Sequence, residues 1–299
     1  MGKLEGKVAA ITGGGRGIGR GISKLFAKHG CAVVVNDLGV TVAGQKETSS
    51  PADDVAKEIK ADGGTAVSNH MDIASVEGGE GLVNQAIREF GKLDILVNVA
   101  GILRDRMIFN MTEQEWDDVI RVHLKGHYCT MRPATAHMRE RKAGRVINFS
   151  SNSGLGSPGQ PNYAAAKAGI LGLTYSTALA MQKYNVTCNA ILPGAATRMT
   201  DTVPEGRMRM ASAGQRITSE NAEGTPRDPA NVAPIVLFLA SDEAQNVTGQ
   251  AFGASGYRIF RYRHITPDKS IYNSGPWDID TLFETLKSTL LVDLEPPRM

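Results

Sequence analysis

A short apolar run, Val8-Ala9-Ala10-Ile11, feeds directly into Thr12-Gly13-Gly14-Gly15-Arg16-Gly17-Ile18-Gly19, and a helical pattern follows at once. Four consecutive apolar residues bounded by a turn mark a strand buried on both faces, as in a parallel sheet. After the turn, Ile18, Ile22, Leu25 and Phe26 share one helix face, and Gly30 ends the pattern. Strand, glycine turn and helix in that order leave few folds open. The glycines let a backbone approach a pyrophosphate, which then rests at the positive end of the helix.

The same alternation continues. A second strand, Ala32 to Asn36, ends at Asp37, about 20 residues past the turn, where a carboxylate accepts hydrogen bonds from ribose hydroxyls and repels a 2′-phosphate. This favours NAD over NADP; Arg16 is the contrary sign, because a basic residue in the turn can reach such a phosphate. Residues 38–52 make a long Gly/Thr/Ser-rich connection, expected to be functional or mobile. Helices around Val55 and Ile59 and around Leu82 to Phe90 alternate with strands ending near Asp72-Ile73 and at Val97. Thr112 and Glu115 read as a capping box opening one long helix through Trp116, Ile120 and Leu124. A strand at Arg145 to Phe149 delivers Ser150-Ser151, and another, Val186 to Leu192, stops at Pro193-Gly194. The expected fold is therefore α/β: a doubly wound parallel sheet, Rossmann-type, in a single domain over residues 1–256. Ligands of such sheets bind at the carboxyl ends of the strands, where Gly13, Asp37, Asp72 and Asn98 all fall. Residues 195–229 are polar and broken by Gly and Pro, as in a lid. Residues 257–299 read as a basic, aromatic linker and a helical tail, Ile279 to Leu291. Its apolar face (Leu282, Phe283, Leu286, Leu290) is expected to dock on this or a neighbouring subunit, or to border the substrate pocket.

Tyr163-Ala164-Ala165-Ala166-Lys167 carries the chemistry. Residues four apart in an alanine-rich helix project from one face. A free tyrosine, pKa near ~10, is a poor base at neutral pH. An adjacent ammonium favours the phenolate, and a lowering by roughly 3 units would supply on the order of 4 kcal/mol toward a working base. Taken alone, the pair is an ordinary Tyr and Lys on a helix; the glycine turn and strand ends give it meaning.

Composition narrows the partners. A net charge of +2 gives no basis for nucleic-acid binding, and no apolar run is long enough to span a bilayer. Cys31, Cys129 and Cys188 are odd in number and far apart, which reads as reduced thiols in a cytoplasmic enzyme. His123 and His127 share a helix face but have no third ligand in view, so no metal is expected.

Together, Thr12-Gly13-x-x-x-Gly17-Ile18-Gly19, Asn98-x-Ala100-Gly101, a Ser ahead of Tyr163-x-x-x-Lys167, and Pro193-Gly194 resemble the short-chain dehydrogenase/reductase family, in register from about residue 4 to 256. The resemblance implies hydride exchange between NAD, or less readily NADP, and an alcohol/carbonyl pair, in a homo-oligomer (tetramer or dimer). It implies that Tyr163 is the acid/base, that Lys167 binds the nicotinamide ribose and tunes Tyr163, and that a Ser polarises the substrate oxygen. Counting forward from Gly144-Arg145 selects Ser151, and counting back from Tyr163 selects Ser150; strand register outranks loop length, so Ser151 is chosen. The remaining cofactor contacts implied are Gly13, Arg16, Gly17, Ile18 and Gly19 at the pyrophosphate, Asp37 at the adenosine ribose, and Asp72 and Ile73 at the adenine. Asn98, Ala100, Gly101, Pro193, Gly194 and Thr197 complete them. His123 stands where many members place a relay Asn, and Val99 replaces a second Asn.

Within the family, Asn36-Asp37-Leu38-Gly39 with its long loop, Gly101-Ile102-Leu103-Arg104-Asp105-Arg106, Val122-His123-Leu124-Lys125-Gly126 and Arg198-Met199-Thr200 resemble the (3R)-hydroxyacyl-CoA dehydrogenase part of peroxisomal multifunctional β-oxidation enzymes and their bacterial relatives. The implied substrate is a 3-hydroxyacyl-CoA or a steroid-type alcohol. The competing expectations are an NADPH-dependent 3-oxoacyl reductase, a terpenoid or steroid alcohol dehydrogenase without CoA, and a catalytically silent NAD-binding regulator.

Overall fold

The computed structural model describes residues 2–48, 50–202 and 217–294. Its frame is an eight-stranded sheet: β1 (Val8–Thr12), β2 (Ala32–Asn36), β3 (Thr65–Asn69), β4 (Ile95–Asn98), β5 (Gly144–Phe149), β6 (Val186–Gly194), β7 (Ala251–Ser255) and β8 (Arg258–Arg261), in the order β3-β2-β1-β4-β5-β6-β7-β8. The first seven run parallel; β8 pairs antiparallel with β7.

Every residue of β1, β4 and β5 is buried, which is why these strands read as continuous apolar runs. The period-2 pleat still sorts them. Ala9, Ile11, Val33, Val35, Ile95 and Val97 face one core, with Ile22 and Phe26 of α1 (Gly17–Lys28) and Val55 and Ile59 of α2 (Pro51–Ala61). Val8, Ala10, Val34 and Leu96 face the other, against Leu82 of α3 (Val76–Phe90). Each such fully buried Ile, Leu or Phe contributes roughly 1.5–3 kcal/mol over its exposed state. Chain order reverses between β1 and β4, which opens a crevice beyond their carboxyl ends.

Two local differences from the sequence reading bear on the site. The capping box is present: Thr112 Oγ1 accepts from Glu115 N at 3.2 Å, and Glu115 Oε2 accepts from Thr112 N at 2.9 Å. The helix it opens, α4 (Glu113–Ile120), then widens into a π turn over Arg121–Lys125 before continuing as α5 (Gly126–Arg141). A π turn adds a residue per turn and re-aims what it carries, here His123. Second, Arg258–Arg261, expected as linker, is a strand. Ser255 pairs with Arg258 across a two-residue turn, Gly256-Tyr257, whose first residue has φ +59°, a backbone that glycine adopts freely. The chain accordingly separates into two compact units, Met1–Arg261 and Tyr262–Met299. The second holds a helix, α9 (Ile279–Ser288), whose N-terminus is capped by Asp278 accepting from Thr281 N at 3.0 Å.

The connection after β2 is ordered by its own hydrogen bonds. Val40 bridges Lys46 antiparallel, Glu47 N donates to Gly39 O at 2.8 Å, and Leu103 N donates to Val42 O at 3.0 Å, tying the excursion to the segment after β4. Of the segment expected as a lid, residues 203–216 lie outside the described residues. Its first part contains α7 (Arg198–Asp201), and its last part is joined back by Ala196 N donating to Arg227 O at 2.8 Å and by the Ser219 amide donating to the Asp201 carboxylate.

Candidate active site

The strand ends of the first unit enclose a cavity of about 620 Å³. Its wall carries Gly13, Arg16, Gly17, Ile18, Gly19, Asp37, Asp72, Ile73, Ala100, Gly101, Ser151, Tyr163, Lys167, Pro193, Gly194 and Thr197. The structure thus gathers around one space residues that are far apart in sequence.

At one end lies the glycine turn. Gly13 has φ +63°, and a Cβ there would stand 2.9 Å from the Ala100 Cα, so strand β1 and the segment after β4 meet only because this residue lacks a side chain. Helix α1 begins with no side-chain cap and no acidic residue in its first turn, leaving its positive end open to an anion. Asp37 holds the turn from the β2 side: one carboxylate oxygen accepts from Gly15 N at 3.2 Å and the other from Gly39 N at 3.0 Å. A cradle closed to a Cβ, an uncapped helix N-terminus and a carboxylate at the next strand end fit a dinucleotide phosphate and ribose.

Arg16 leaves this turn and reaches over the loop after β2. Its guanidinium pairs with the Glu47 carboxylate and donates to Val40 O at 3.3 Å. Arg198, at the start of α7, meets the same two acceptors, Glu47 at 3.5 Å and Val40 O at 3.3 Å. The Arg16 guanidinium holds Glu47 below the usual carboxylate range. Nothing in the sequence pattern marked Glu47, which lies 31 residues from Arg16 in an irregular loop.

The other end belongs to α6 (Pro161–Met181), which starts with proline at its first position. Asn162 pins it: Nδ2 donates to Arg104 O at 3.0 Å and Glu115 O at 2.9 Å, and Oδ1 accepts from Tyr163 N at 2.7 Å. Asn162 therefore sets where Tyr163 begins its turn, a role that residue type and spacing gave no sign of. The Ser151 side chain stands beside the Tyr163 phenol and lowers its pKa. Ser151 itself is fixed by accepting from Ser153 N at 3.1 Å. Ser150, buried, turns the other way and donates to Lys167 O at 2.8 Å. Of the two candidate serines, Ser151 is the one whose hydroxyl bears on the phenol.

Lys167 is 3% exposed. Its Nζ donates to Phe149 O at 2.6 Å and lies 5.4 Å from the centre of the Tyr163 ring. Burial lowers its pKa to about 7 and raises that of Tyr163 to about 12, with the Ser151 hydrogen bond opposing the rise and the Asp105 charge adding to it. The expected lowering of the Tyr163 pKa counts on the charge of Lys167 and of an oxidised nicotinamide ring together. In the chain by itself, desolvation disfavours the charge on both side chains.

Asn98 is also corrected. Its side chain does not reach the cavity: Nδ2 donates to Asn148 Oδ1 at 3.0 Å and Oδ1 accepts from Thr130 Oγ1 at 2.8 Å, a buried network that braces β4 against β5 and α5. His123, delivered by the π turn, has Nε2 at 2.8 Å from Ile102 O and 3.1 Å from Ile102 N, and meets Tyr163 edge to face with centroids 5.0 Å apart. Burial keeps it well below its ordinary pKa. His127 Nδ1, one turn on, donates to His123 O at 2.6 Å. Among the described residues no group of three His, Cys, Asp or Glu side chains could hold a metal ion, and no helix is long and apolar enough to cross a membrane.

Comparison with known proteins agrees with this geometry. The short chain dehydrogenase family model matches residues 7–208. A peroxisomal multifunctional enzyme type 2 of Drosophila melanogaster is 47% identical over 257 residues, covering 85% of this chain and 40% of that protein. The hydroxyacyl-CoA dehydrogenase ChsB1 of Mycobacterium tuberculosis is 40% identical over 294 residues, 95% of this chain and 88% of that one. The chain spans from 27% to 52% of the length of the peroxisomal multifunctional relatives it matches. The crystal structure of a short chain dehydrogenase from Mycobacterium avium superimposes with a TM-score of 0.83 at 41% identity, covering 99% of this chain and 98% of that one. Motifs, fold and relatives converge: the chain belongs to the short chain dehydrogenase family, oxidoreductases acting on CH–OH groups.

Proposed function

We propose that the protein interconverts a secondary alcohol and its ketone with NAD, and that its substrate class is the 3-hydroxyacyl-CoA thioesters. The observation that carries this reading is that Ser151, Tyr163 and Lys167 line one cavity together with the glycine turn. When bound, the nicotinamide dinucleotide supplies the hydride chemistry. The chain's part is to hold the glycine turn and Asp37 for the dinucleotide and to keep Lys167 dry beside Tyr163. Ser151 Oγ and Tyr163 Oη converge on the substrate hydroxyl, and Tyr163 Oη takes its proton during oxidation or returns it during reduction.

Three features support the acyl-CoA class. Relatives named for hydroxyacyl-CoA or multifunctional peroxisomal activity match most of the chain. Arg104, Arg121, Arg198 and Arg227 lie on the cavity wall and suit an anionic substrate. Apolar side chains of Val42, Ile102 and Met199 line the same cavity and suit an acyl chain. A second reading, an NADPH-dependent reductase, has one observation in its favour: a 3-oxoacyl-[acyl-carrier-protein] reductase of Staphylococcus aureus is 39% identical over 84% of this chain. Asp37 opposes it, because a 2′-phosphate would meet its carboxylate.

The test is a substrate and cofactor panel on the purified protein. A kcat/KM for (3R)-hydroxyacyl-CoA with NAD at least tenfold above that for 3-oxoacyl thioester reduction with NADPH, and above that for free steroid alcohols, is the expected result. Preference for the reductase pair would replace the reading with the second one.

A further inference from the structure

We infer that Glu47 is a cofactor-specificity residue that works against a 2′-phosphate by taking Arg16 out of use. The inference rests on the reading that a nicotinamide dinucleotide occupies the glycine turn.

Arg16 is the natural receptor for a 2′-phosphate in this chain. It stands in the glycine turn, next to Gly15, whose amide is held by Asp37 at the end of β2. A guanidinium in that place would meet a phosphate bidentately. In the structure its donors are directed elsewhere, to the Glu47 carboxylate and to Val40 O. Glu47 is not a loose surface charge that would swing away. Its backbone N–H is fixed on Gly39 O at 2.8 Å, and a second guanidinium, Arg198, meets its other oxygen at 3.5 Å. The long loop after β2 thus carries one carboxylate to a point between two arginines, with its backbone tied to Gly39, whose amide Asp37 holds.

Two consequences follow from charge. A phosphate brought to this corner must break an Arg16–Glu47 pair in which both partners are about three-quarters withdrawn from solvent, with side-chain exposures of 25% and 28%. It must also sit beside two carboxylates, Asp37 and Glu47, where like charges disfavour it. A ribose with free hydroxyls meets neither obstacle. Asp37 rejects the phosphate by direct repulsion; Glu47 adds a second barrier by occupying its best partner. Neutralising Glu47 should therefore release Arg16 while leaving Asp37 in place.

The experiment is isothermal titration of the substrate-free protein with NAD+ and with NADP+, comparing wild type, Glu47→Gln, Glu47→Gln/Arg16→Gln and Glu47→Gln/Arg198→Gln. The readout is the ratio of the two dissociation constants. The expected result is that Glu47→Gln shifts this ratio toward NADP+ by about tenfold, the equivalent of about 1.4 kcal/mol. The Arg16→Gln double variant should cancel the shift, and the Arg198→Gln one should keep it. A ratio unchanged in Glu47→Gln overturns the inference. So does a shift that survives loss of Arg16, which would name another receptor, or a parallel loss of both affinities, which would make Glu47 a structural strut. Wild-type protein that binds neither dinucleotide would overturn the proposed function instead.

Discussion

The Lys167 ammonium lies 5.4 Å from the centre of the Tyr163 ring and gives a 2.6 Å hydrogen bond to the Phe149 carbonyl at the end of β5. Lysine and tyrosine share a helix face, as a spacing of four requires, yet burial governs both. The phenol rises to about 12 and the amine falls to about 7. At neutral pH the Tyr163 phenol therefore keeps its proton in the chain by itself.

Replacing Tyr163 by Phe removes one oxygen and leaves the ring packed against His123. The expected outcome is a fall in kcat of about 10²- to 10⁴-fold, the usual worth of a positioned acid/base. The NAD dissociation constant should stay within a few-fold of wild type. Steady-state kinetics and dinucleotide titration on the same preparation check this. Near wild-type turnover would remove Tyr163 from the chemistry.

The two adjacent serines should separate cleanly. Ser151→Ala removes the hydroxyl beside the phenol and should lower kcat about 10²-fold or more at nearly unchanged stability. Ser150→Ala instead leaves the Lys167 carbonyl without that donor inside the fold. It should cost about 1–2 kcal/mol of stability by urea denaturation, with turnover reduced far less than in Ser151→Ala. The opposite pattern would exchange their roles.

These contacts show what the sequence could and could not convey. Strand, glycine turn and helix were readable because every residue there obeys a local rule: Val8 to Ile11 is buried on both faces, and Gly13 must lack a Cβ. Ser151 was reachable by counting along β5, since a strand advances one side chain at a time. The π turn at Arg121–Lys125 was not, because apolar periodicity reads much the same through a single widened turn. Asn98 stands at the expected strand end, but the partners that draw its side chain away, Asn148 and Thr130, are 50 and 32 residues distant. The burial that raises the Tyr163 pKa in the chain by itself is not legible for a related reason: spacing shows the neighbouring charge and says nothing of the water lost.

Gly101 and His123 form a lock that tests the π turn. A Cβ on Gly101 would stand 2.2 Å from His123 Cε1, so the two cannot coexist unless the imidazole moves. Gly101→Ala should destabilise the fold by about 1–3 kcal/mol through overpacking. Because His123 packs edge to face on Tyr163, it should also lower kcat more than NAD affinity. Trimming the ring in Gly101→Ala/His123→Ala should recover most of the stability. Failure to recover it would place the clash elsewhere.

Lys167 makes the stability of the cofactor-free protein depend on pH with a calculable sign. Burial lowers its pKa in the fold to about 7 from an ordinary value of 10.5. Between those pH values the unfolded chain holds a proton that the folded chain has released, so stability should rise with pH. Below about pH 7 both states hold the proton and the burial cost stands at its full value. Lys167→Met removes this titration, so its stability advantage over wild type should shrink as pH rises from 7 to about 9.5, at up to about 1.4 kcal/mol per unit. The upper limit is set by Tyr163. Its raised pKa contributes stability that is complete below the ordinary tyrosine value of 10 and lost as pH climbs toward about 12, the opposite sign. Urea denaturation of both proteins at half-unit steps checks the slope. A pH-independent difference would mean that the ammonium keeps its proton in the fold, with the Phe149 carbonyl compensating for the water it has lost.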